Sequence, residues 1–194
     1  MSVQSFAEAA VPMIPFVRHT LAGLLLGLCC AIAMPACAAT LGKADADVLR
    51  RDIDAMMAAY EQGDVEALLG KTHPSLFKLV GDRDAFSRTA QQALDQLEAQ
   101  GVRFVSSETG DPSDTYPAGD EEVCFVPRKS ILEVQGRRMK SSTFMIAIRP
   151  VGGGEWTYLD GSGMRGNPQM LYTLLPALSR DVPLPPISFD AVEE

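Results

Sequence analysis

The sequence predicts an α+β domain in which N-terminal helices pack on one face of a curved antiparallel sheet of about four strands, with a short C-terminal helix. Two observations predict this class. Apolar residues recur with the period of an α-helix between residues 49 and 97, and they then follow the two-residue alternation of β-strands between residues 102 and 160. Short turns join the strand segments, so we expect neighbouring strands to be antiparallel.

A leader is predicted ahead of this domain. An unbroken apolar run occupies residues 21–34, a basic residue precedes it, and the small-residue segment 36–39 follows it. This arrangement is typical of a secretory signal peptide. The run is shorter than the roughly 20 apolar residues that a membrane-spanning helix needs. We therefore expect residues 1–38 to be removed by cleavage between Ala38 and Ala39, which leaves a periplasmic or secreted protein without a membrane span.

Three alternatives stay open at the leader. The segment from Met13 is a shorter and more ordinary basic lead-in than the segment from Met1, so Met13 is an alternative start. Cys37 follows a small residue, as lipid-modified cysteines do, which makes a lipid anchor on Cys37 a minor alternative to a released protein. The third alternative is an uncleaved membrane anchor, against which the length of the apolar run argues.

The mature chain is expected to be one acidic domain. Removing 38 of the 194 residues leaves 156, which suffices for a single hydrophobic core at residues 39–182. We expect the proline-rich and acidic tail at residues 183–194 to run loosely over the surface. The leader contains one acidic and one basic residue, so the net charge stays at −8. This charge argues against nucleic acid as a partner, because its phosphates repel an acidic protein.

Cysteine usage excludes a disulfide framework in the mature chain. Three of the four cysteines lie in the leader, so Cys124 alone remains and no internal disulfide can form. Cys124 lies in the apolar segment 123–126, and we therefore expect its thiol to be buried.

Three helices are predicted before the sheet. Asp64 caps a short second helix at residues 65–69, and the third helix extends from Asp82 to Gln100 with a helical apolar spacing. Gly63 ends the first helix. Apolar residues at i, i+4, i+7, i+8 and i+11 line one face of that first helix: Leu49, Ile53, Met56, Met57 and Tyr60.

Four strand segments are predicted after the helices, at residues 102–107, 122–134, 138–148 and 156–160. Pro127 lacks a backbone donor, so it favours an edge strand or a bulge. Gln135-Gly136 is a turn signal between the two longest strands. Asn167 is expected to cap the short C-terminal helix, with Pro168 at its first position.

Two segments carry a resemblance to known proteins. In YEQGDVEALL, residues 60–69, an aromatic residue and Gly-Asp precede a short helix ending in leucines, and the polar turn THP follows at residues 72–74. In these segments, and in the order of its elements over residues 44–178, the chain resembles the nuclear transport factor two-like superfamily, which has a cystatin-like fold. It is also similar to uncharacterised secreted bacterial proteins that end in a strand of the type W-x-x-x-D-G-S-G, here Trp156 to Gly163.

A strongly twisted sheet wrapped on a long helix leaves a conical hollow at one end, so we expect such a hollow in this domain. The superfamily resemblance implies either a ketosteroid isomerase-like or dehydratase-like enzyme or a non-catalytic binding domain, because the superfamily contains both and a shared fold does not carry function. In its isomerases, a pocket carboxylate moves a proton while a tyrosine stabilises an oxyanion. None of the superfamily's catalytic positions can be matched residue by residue in this chain.

The candidate site residues come mainly from the last predicted strand. Trp156, Tyr158 and Asp160 alternate along it and therefore share one face, which Tyr60 of the first helix can approach. Tyr60, Trp156 and Tyr158 are the candidate ligand-binding residues, with core packing as the alternative. Asp160 and Tyr158 are the candidate catalytic pair. His73, the sole histidine beyond the leader, is the third catalytic candidate, unless it caps a helix or orders a loop.

Three further motifs have ordinary interpretations. Residues 161–166 match G-x-G-x-x-G, but no parallel strand follows, so we expect a strand-to-helix turn and no nucleotide cofactor. The acidic loop at residues 111–122 has Tyr116 where a calcium loop needs glycine, so we expect a solvated loop and no metal site. The basic residues of the central hairpin are expected to face solvent, with an anion or partner surface as the alternative: Arg128, Lys129, Arg137, Arg138 and Lys140.

The functional prediction is an exported, non-catalytic binding module for an unknown small molecule or an envelope protein, without a cofactor. The alternative is an isomerase- or dehydratase-type enzyme that uses the carboxylate–tyrosine pair in the conical pocket. A third possibility, a cystatin-like protease inhibitor, requires a Gln-x-Val-x-Gly wedge that residues 133–136 only echo. Many domains of this shape pair through the open sheet face, so a homodimer is an open possibility.

Overall fold

A computed structural model describes residues 38–192, and these residues have the predicted α+β fold. Residues 1–37 of the leader, with the alternatives at Met1, Met13 and Cys37, lie outside the described residues. Four helices come first: α1 (Lys43–Glu61), α2 (Val65–Lys71), α3 (Pro74–Val80) and α4 (Arg83–Ala99). Five strands follow: β1 (Val102–Thr109), β2 (Thr115–Ala118), β3 (Glu121–Val134), β4 (Arg137–Pro150) and β5 (Thr157–Asp160). The 3₁₀ turn Gly161–Met164, helix α5 (Gln169–Leu174) and strand β6 (Ser188–Ala191) complete this part of the chain.

The strands form one antiparallel sheet around a long central hairpin. β3 and β4 pair along their full length, with residues 121–134 opposite residues 137–150. Gln135 and Gly136 form the hairpin turn, as predicted, and their φ angles of 52° and 77° are those of the tight turn that matches the twist of the two strands. β1 and β2 pair with the outer edge of β3, while β5 and β6 pair with the outer edge of β4.

Three short elements differ from the prediction. α3 begins where a polar turn is expected, because Pro74 has the backbone angle that opens a helix. β2 and β6 have four residues each, too few for an alternation to stand out. The expectation that residues 183–194 form a loose tail is wrong for Ser188–Ala191, which pair with β4 at residues 139–142 and satisfy the backbone groups of that edge.

Pro127 lies inside β3 rather than at a sheet edge or a bulge of β3. It pairs with Phe144 of β4, and on the other side its carbonyl oxygen accepts a hydrogen bond from Gly110 N at 2.8 Å. The N and C=O groups of a strand residue point to the same side, so the missing donor faces the connection between β1 and β2. No hydrogen bond to β4 is lost at Pro127, which explains why a proline is tolerated in the central hairpin.

The two faces of the sheet carry separate apolar clusters. On one face, α1 buries Leu49, Ile53 and Met56 against the sheet cluster of Cys124, Val126, Met145, Ala147, Trp156 and Tyr158. On the other face, α5 and the segment after it pack on the strands through Leu171, Leu174, Leu175 and Leu178. Helices thus pack on both faces of the sheet. The sheet surface that remains open for pairing with a second copy of the chain is correspondingly smaller.

The C-terminal helix starts without the expected cap. Pro168 is the N-cap residue of α5, and no side chain accepts a hydrogen bond there, so the prediction that Asn167 caps the helix is wrong. Within residues 38–192, none of the helices combines the length and apolar character that crossing a bilayer requires.

Candidate functional site

A cavity of about 320 Å³ lies between the N-terminal helices and the sheet. α1, α2 and α4 form most of its helical wall, to which α3 adds Leu76, and β1, β3, β4 and β5 form its floor. Its lining is mainly apolar and includes Met57, Leu68, Phe86, Ala90, Phe104 and Leu132. The volume falls at the lower end of the range of about 300–1,000 Å³ that ligand pockets occupy. The cavity is therefore the candidate functional site of the described domain.

Arg128 lies on the floor of this cavity and is the feature that sequence reasoning missed. The residue is only 5% exposed, although the basic hairpin is expected to face solvent. The expectation is wrong for Arg128 because it alternates in β3 with Val126 and Ser130, which are also buried on the inner face. Lys129, by contrast, points to the opposite face and is exposed, as predicted.

The guanidinium of Arg128 lacks a carboxylate partner among the described residues. Its Nη1 lies 3.6 Å from the sulfur of Met145, and its Nε is buried without a hydrogen-bond partner. Burial lowers the pKa of Arg128, while the negative charge of Asp160 acts in the opposite direction. An arginine side chain nevertheless stays protonated in a protein, so the cavity floor contains a buried positive charge.

A strip of hydroxyl groups accompanies Arg128 along the floor. Thr143 stands directly opposite Arg128 in the β3–β4 register, and its buried Oγ1 has no hydrogen-bond partner. Ser130 and Ser141 form the next inward-facing pair of the hairpin and also line the cavity. Positions two residues apart in a strand share one face of the sheet. The alternation that places Arg128 on the inner face therefore also indicates this strip of hydroxyl side chains.

The structure brings Tyr60, Tyr158 and Asp160 to the cavity wall, as the shared strand face predicts for the last two. Tyr158 is buried, and its hydroxyl donates to Asp52 Oδ2 at 3.1 Å. Burial and the charge of Asp52 raise the pKa of Tyr158, so this hydroxyl is protonated and acts as a donor. Lys71 Nζ donates to the same carboxylate oxygen at 3.1 Å, which leaves Asp52 doubly hydrogen-bonded.

Asp160 is exposed and already engaged at the end of β5. Its Oδ1 accepts a hydrogen bond from Ser162 N at 2.8 Å and thereby caps the 3₁₀ turn Gly161–Met164. It makes no ion pair with Arg128 within 4.0 Å. Tyr60 contacts Phe104 edge-to-face at 5.4 Å, and burial, together with the charge of Asp160, raises the pKa of its phenol.

Trp156 and His73 lie outside the cavity. Trp156 packs in the α1 cluster, where the guanidinium of Arg149 lies 4.2 Å from the centre of its ring. His73 caps α3, since its Nδ1 accepts from Ser75 N at 3.3 Å, and its Nε2 lies 3.0 Å from Glu121 Oε1. This arrangement assigns the proton to Nε2 and is the helix-capping role that the sequence offered as an alternative to catalysis.

The glycine-rich segment has a packing role. Gly161 starts the 3₁₀ turn, and a Cβ at this position would lie 2.7 Å from the carbonyl oxygen of Phe144, so glycine is required by close approach. All pairings between the described strands are antiparallel, so the strand-turn-helix-strand unit of a dinucleotide site is not formed there.

The acidic loop and the lone cysteine also have structural roles. Asp111 pairs with Arg50, and Ser113 Oγ accepts from Phe125 N at 3.0 Å. Residues 38–192 contain no group of three or more His, Cys, Asp or Glu side chains that could hold a metal ion. Cys124 is buried, as predicted, and burial raises the pKa of its thiol to about 11.

Comparison with known protein families, curated proteins and solved structures gives no match to this chain. The resemblance to the nuclear transport factor two-like superfamily therefore stays a prediction, and we infer function from the cavity itself.

Proposed function

We propose that this protein is an exported, non-catalytic binding module that holds a small molecule in the cavity between the sheet and α1, α2 and α4. The observation that carries the proposal is the cavity of about 320 Å³, which combines an apolar lining with a short polar strip on its floor. Small-molecule sites typically have this composition, because the apolar wall supplies affinity and a few polar groups fix the orientation of the ligand.

The state of the titratable groups favours binding over catalysis. Tyr158 donates to Asp52 and Asp160 accepts from Ser162, so each member of the predicted carboxylate–tyrosine pair already has a partner. The tyrosine of such a pair must direct its hydroxyl at the substrate oxygen, whereas the Tyr158 hydroxyl donates to Asp52 Oδ2 at 3.1 Å. The pair is thus better suited to shaping the wall than to moving protons.

Export is the second part of the proposal and rests on the leader. The apolar run at residues 21–34 and the small residues before Ala39 support cleavage and a periplasmic or secreted location. Ala39 N donates to Thr115 O at 2.9 Å, and a new amino group at Ala39 would retain this donor after cleavage. Mass spectrometry of the mature protein should find a chain that starts at Ala39. A protein that keeps residues 1–38, or one that carries a lipid on Cys37, would contradict this part.

Thermal shift with a panel of fatty acids, alcohols and sterols tests the binding proposal. We expect some members to raise Tm, and Ala90→Trp to abolish those shifts, because Ala90 of α4 lines the cavity. Ala93→Trp is the matched control, since Ala93 is exposed on the same helix and outside the cavity. Shifts that survive Ala90→Trp unchanged, or a panel without any shift, would count against binding in this cavity.

A proton-transfer enzyme is the second candidate function, and one observation favours it. Tyr158 and Asp160 line the same cavity, together with Tyr60. Such an enzyme would exchange the protons next to the carbonyl group of a bound ketone with solvent deuterium, and Asp160→Asn would stop this exchange while Tyr158→Phe slows it. Equal exchange in the presence of wild type and Asp160→Asn would remove this candidate.

A further inference from the structure

We infer that the ligand of the cavity is a monocarboxylic acid with an apolar body, whose carboxylate pairs with Arg128 and Thr143. The inference rests on the proposed function and names the class of molecule that the site takes. Two neighbouring polar side chains on the cavity floor carry it, because both are buried and neither has its hydrogen-bonding capacity satisfied among the described residues.

The first of these side chains is the buried guanidinium of Arg128. Arg128 is only 5% exposed, and a buried charge is normally paired, since burial without a partner costs folding free energy. Among residues 38–192, Arg128 Nη1 contacts the weak acceptor sulfur of Met145, and no carboxylate lies within 4.0 Å of the guanidinium. A ligand can supply the missing anion, because Arg128 lines the cavity that would hold it.

The second side chain, Thr143, adds a donor beside the first. Residues directly opposite in an antiparallel pair have Cβ atoms about 4.5–5.5 Å apart, so Thr143 and Arg128 can reach one small group together. The unpartnered Thr143 Oγ1 is a hydroxyl that can donate, and Arg128 Nε can only donate. A carboxylate has two oxygens that only accept, so it satisfies both groups at once.

The charge balance favours one negative charge over two. Of the described residues that line the cavity, Arg128 alone is basic, while Asp160 lines the same cavity with a carboxylate of its own. A phosphate dianion would face one cation, the nearby carboxylates of Asp160 and Asp54, and the net charge of −8 of the whole chain. A monocarboxylate is neutralised by Arg128 and leaves its apolar body to contact Met57, Phe104 and Leu132.

Three probes with one apolar chain separate the possibilities: decanoic acid, decanol and decyl phosphate, measured by calorimetry at pH 7. We expect wild type to bind decanoate at least about tenfold more tightly than decanol, which is the effect of one hydrogen bond to a charged group. Arg128→Met should remove this preference and keep the affinity for decanol. Lys129→Met, on the opposite face of the same strand, should behave as wild type. Far-UV circular dichroism confirms that both variants are folded.

Each other outcome has a defined meaning. If decanoate and decanol bind equally, the cavity binds small molecules as proposed, but the carboxylate inference is overturned. If decyl phosphate binds more tightly than decanoate, the anion is a phosphate and the inference is again overturned. If none of the three binds wild type, the binding module and its ligand class fail together.

Discussion

The register of a strand, rather than the type of a residue, decides the environment of Arg128. An arginine between Pro127 and Lys129 looks like a surface residue, and sequence reasoning places it there. The pairing of residues 121–134 with residues 137–150 instead fixes which side chains point inward. Arg128 follows Val126 on the inner face, so it is buried despite its charge. A buried charge without a partner is typical of binding sites, since it stays costly until a ligand arrives.

Arg128→Met is expected to raise the free energy of unfolding of the ligand-free protein by about 1–3 kcal/mol, because an apolar side chain of similar length replaces an unpaired buried charge. Urea denaturation followed by circular dichroism measures the change. Lys129→Met is the control and should change stability by less than about 0.5 kcal/mol, since Lys129 is exposed. A variant at Arg128 that is less stable than wild type would show that the guanidinium has a stabilising partner in the protein.

Tyr158→Phe is expected to lower the free energy of unfolding by about 1–2 kcal/mol, because the buried hydroxyl donates to the charged Asp52. Tyr172→Phe is the matched control, since the Tyr172 hydroxyl makes only a 3.5 Å contact with Arg180 O at an exposed site. The same urea titration compares the two variants. Equal losses would mean that the bond between Tyr158 and Asp52 contributes nothing specific.

The thiol of Cys124 should make stability depend on alkaline pH. Burial raises its pKa from the ordinary 9.0 to about 11, so the folded state holds the proton more tightly than the unfolded state does. The resulting stabilisation is fully present below pH 9 and is lost as the pH rises toward 11. The urea midpoint of unfolding should therefore drop more for wild type than for Cys124→Ala when it is measured first below and then above this pH interval. Parallel curves would contradict the burial of the thiol.

At the scale of elements, α1 and α4 are helices of similar length with very different anchoring. α1 buries Leu49, Ile53 and Met56 against the sheet, whereas no residue of α4 is fully buried. α4 contributes Phe86 and Ala90 to the cavity wall, and Phe86 contacts Phe77 of α3 edge-to-face at 5.7 Å. Helices gain most of their stability in a protein from the packing of an apolar face. We therefore expect α4 to open more easily than α1.

Amide hydrogen exchange should show this difference directly. We expect the amides of α4 to exchange faster than those of α1 in the free protein, because fewer buried contacts must break for α4 to open. Decanoate should slow exchange more in α4 than in α1, because both helices line the cavity but α4 opens more readily in the free protein. Equal protection of both helices, or a ligand effect confined to α1, would contradict the role of α4.

At the scale of the whole molecule, the fold class and its main elements can be predicted from periodic segments of the sequence, whereas the candidate site cannot. The helical spacing of apolar residues in α1 and the two-residue alternation of apolar residues around Phe144 are clear patterns. They suffice to predict the helices, the long hairpin and the α+β class. The burial of Cys124 follows from its apolar neighbours in the same way. Short elements such as β6 form because an edge of β4 is free, which is a tertiary cause that no local pattern contains.

The candidate site could be predicted only in part, for the same reason. Tyr158 and Asp160 share a strand face, and this placed both on the cavity wall. Trp156 shares that face too, yet it lies under α1, because the position of a helix over the strand is decided by packing. The charge of Arg128 predicts a surface position, whereas its alternation with Val126 in the sequence indicates the buried face.

Native mass spectrometry of the protein recovered from its own host tests the central claim most directly. We expect each wild-type chain to carry one non-covalently bound small molecule, which gas-phase dissociation releases as an apolar monocarboxylic acid. Ala90→Trp, which fills the cavity, should carry none, and Ala93→Trp should match wild type. An empty wild-type protein, or the same bound molecule on Ala90→Trp, would contradict the claim that this cavity is a binding site.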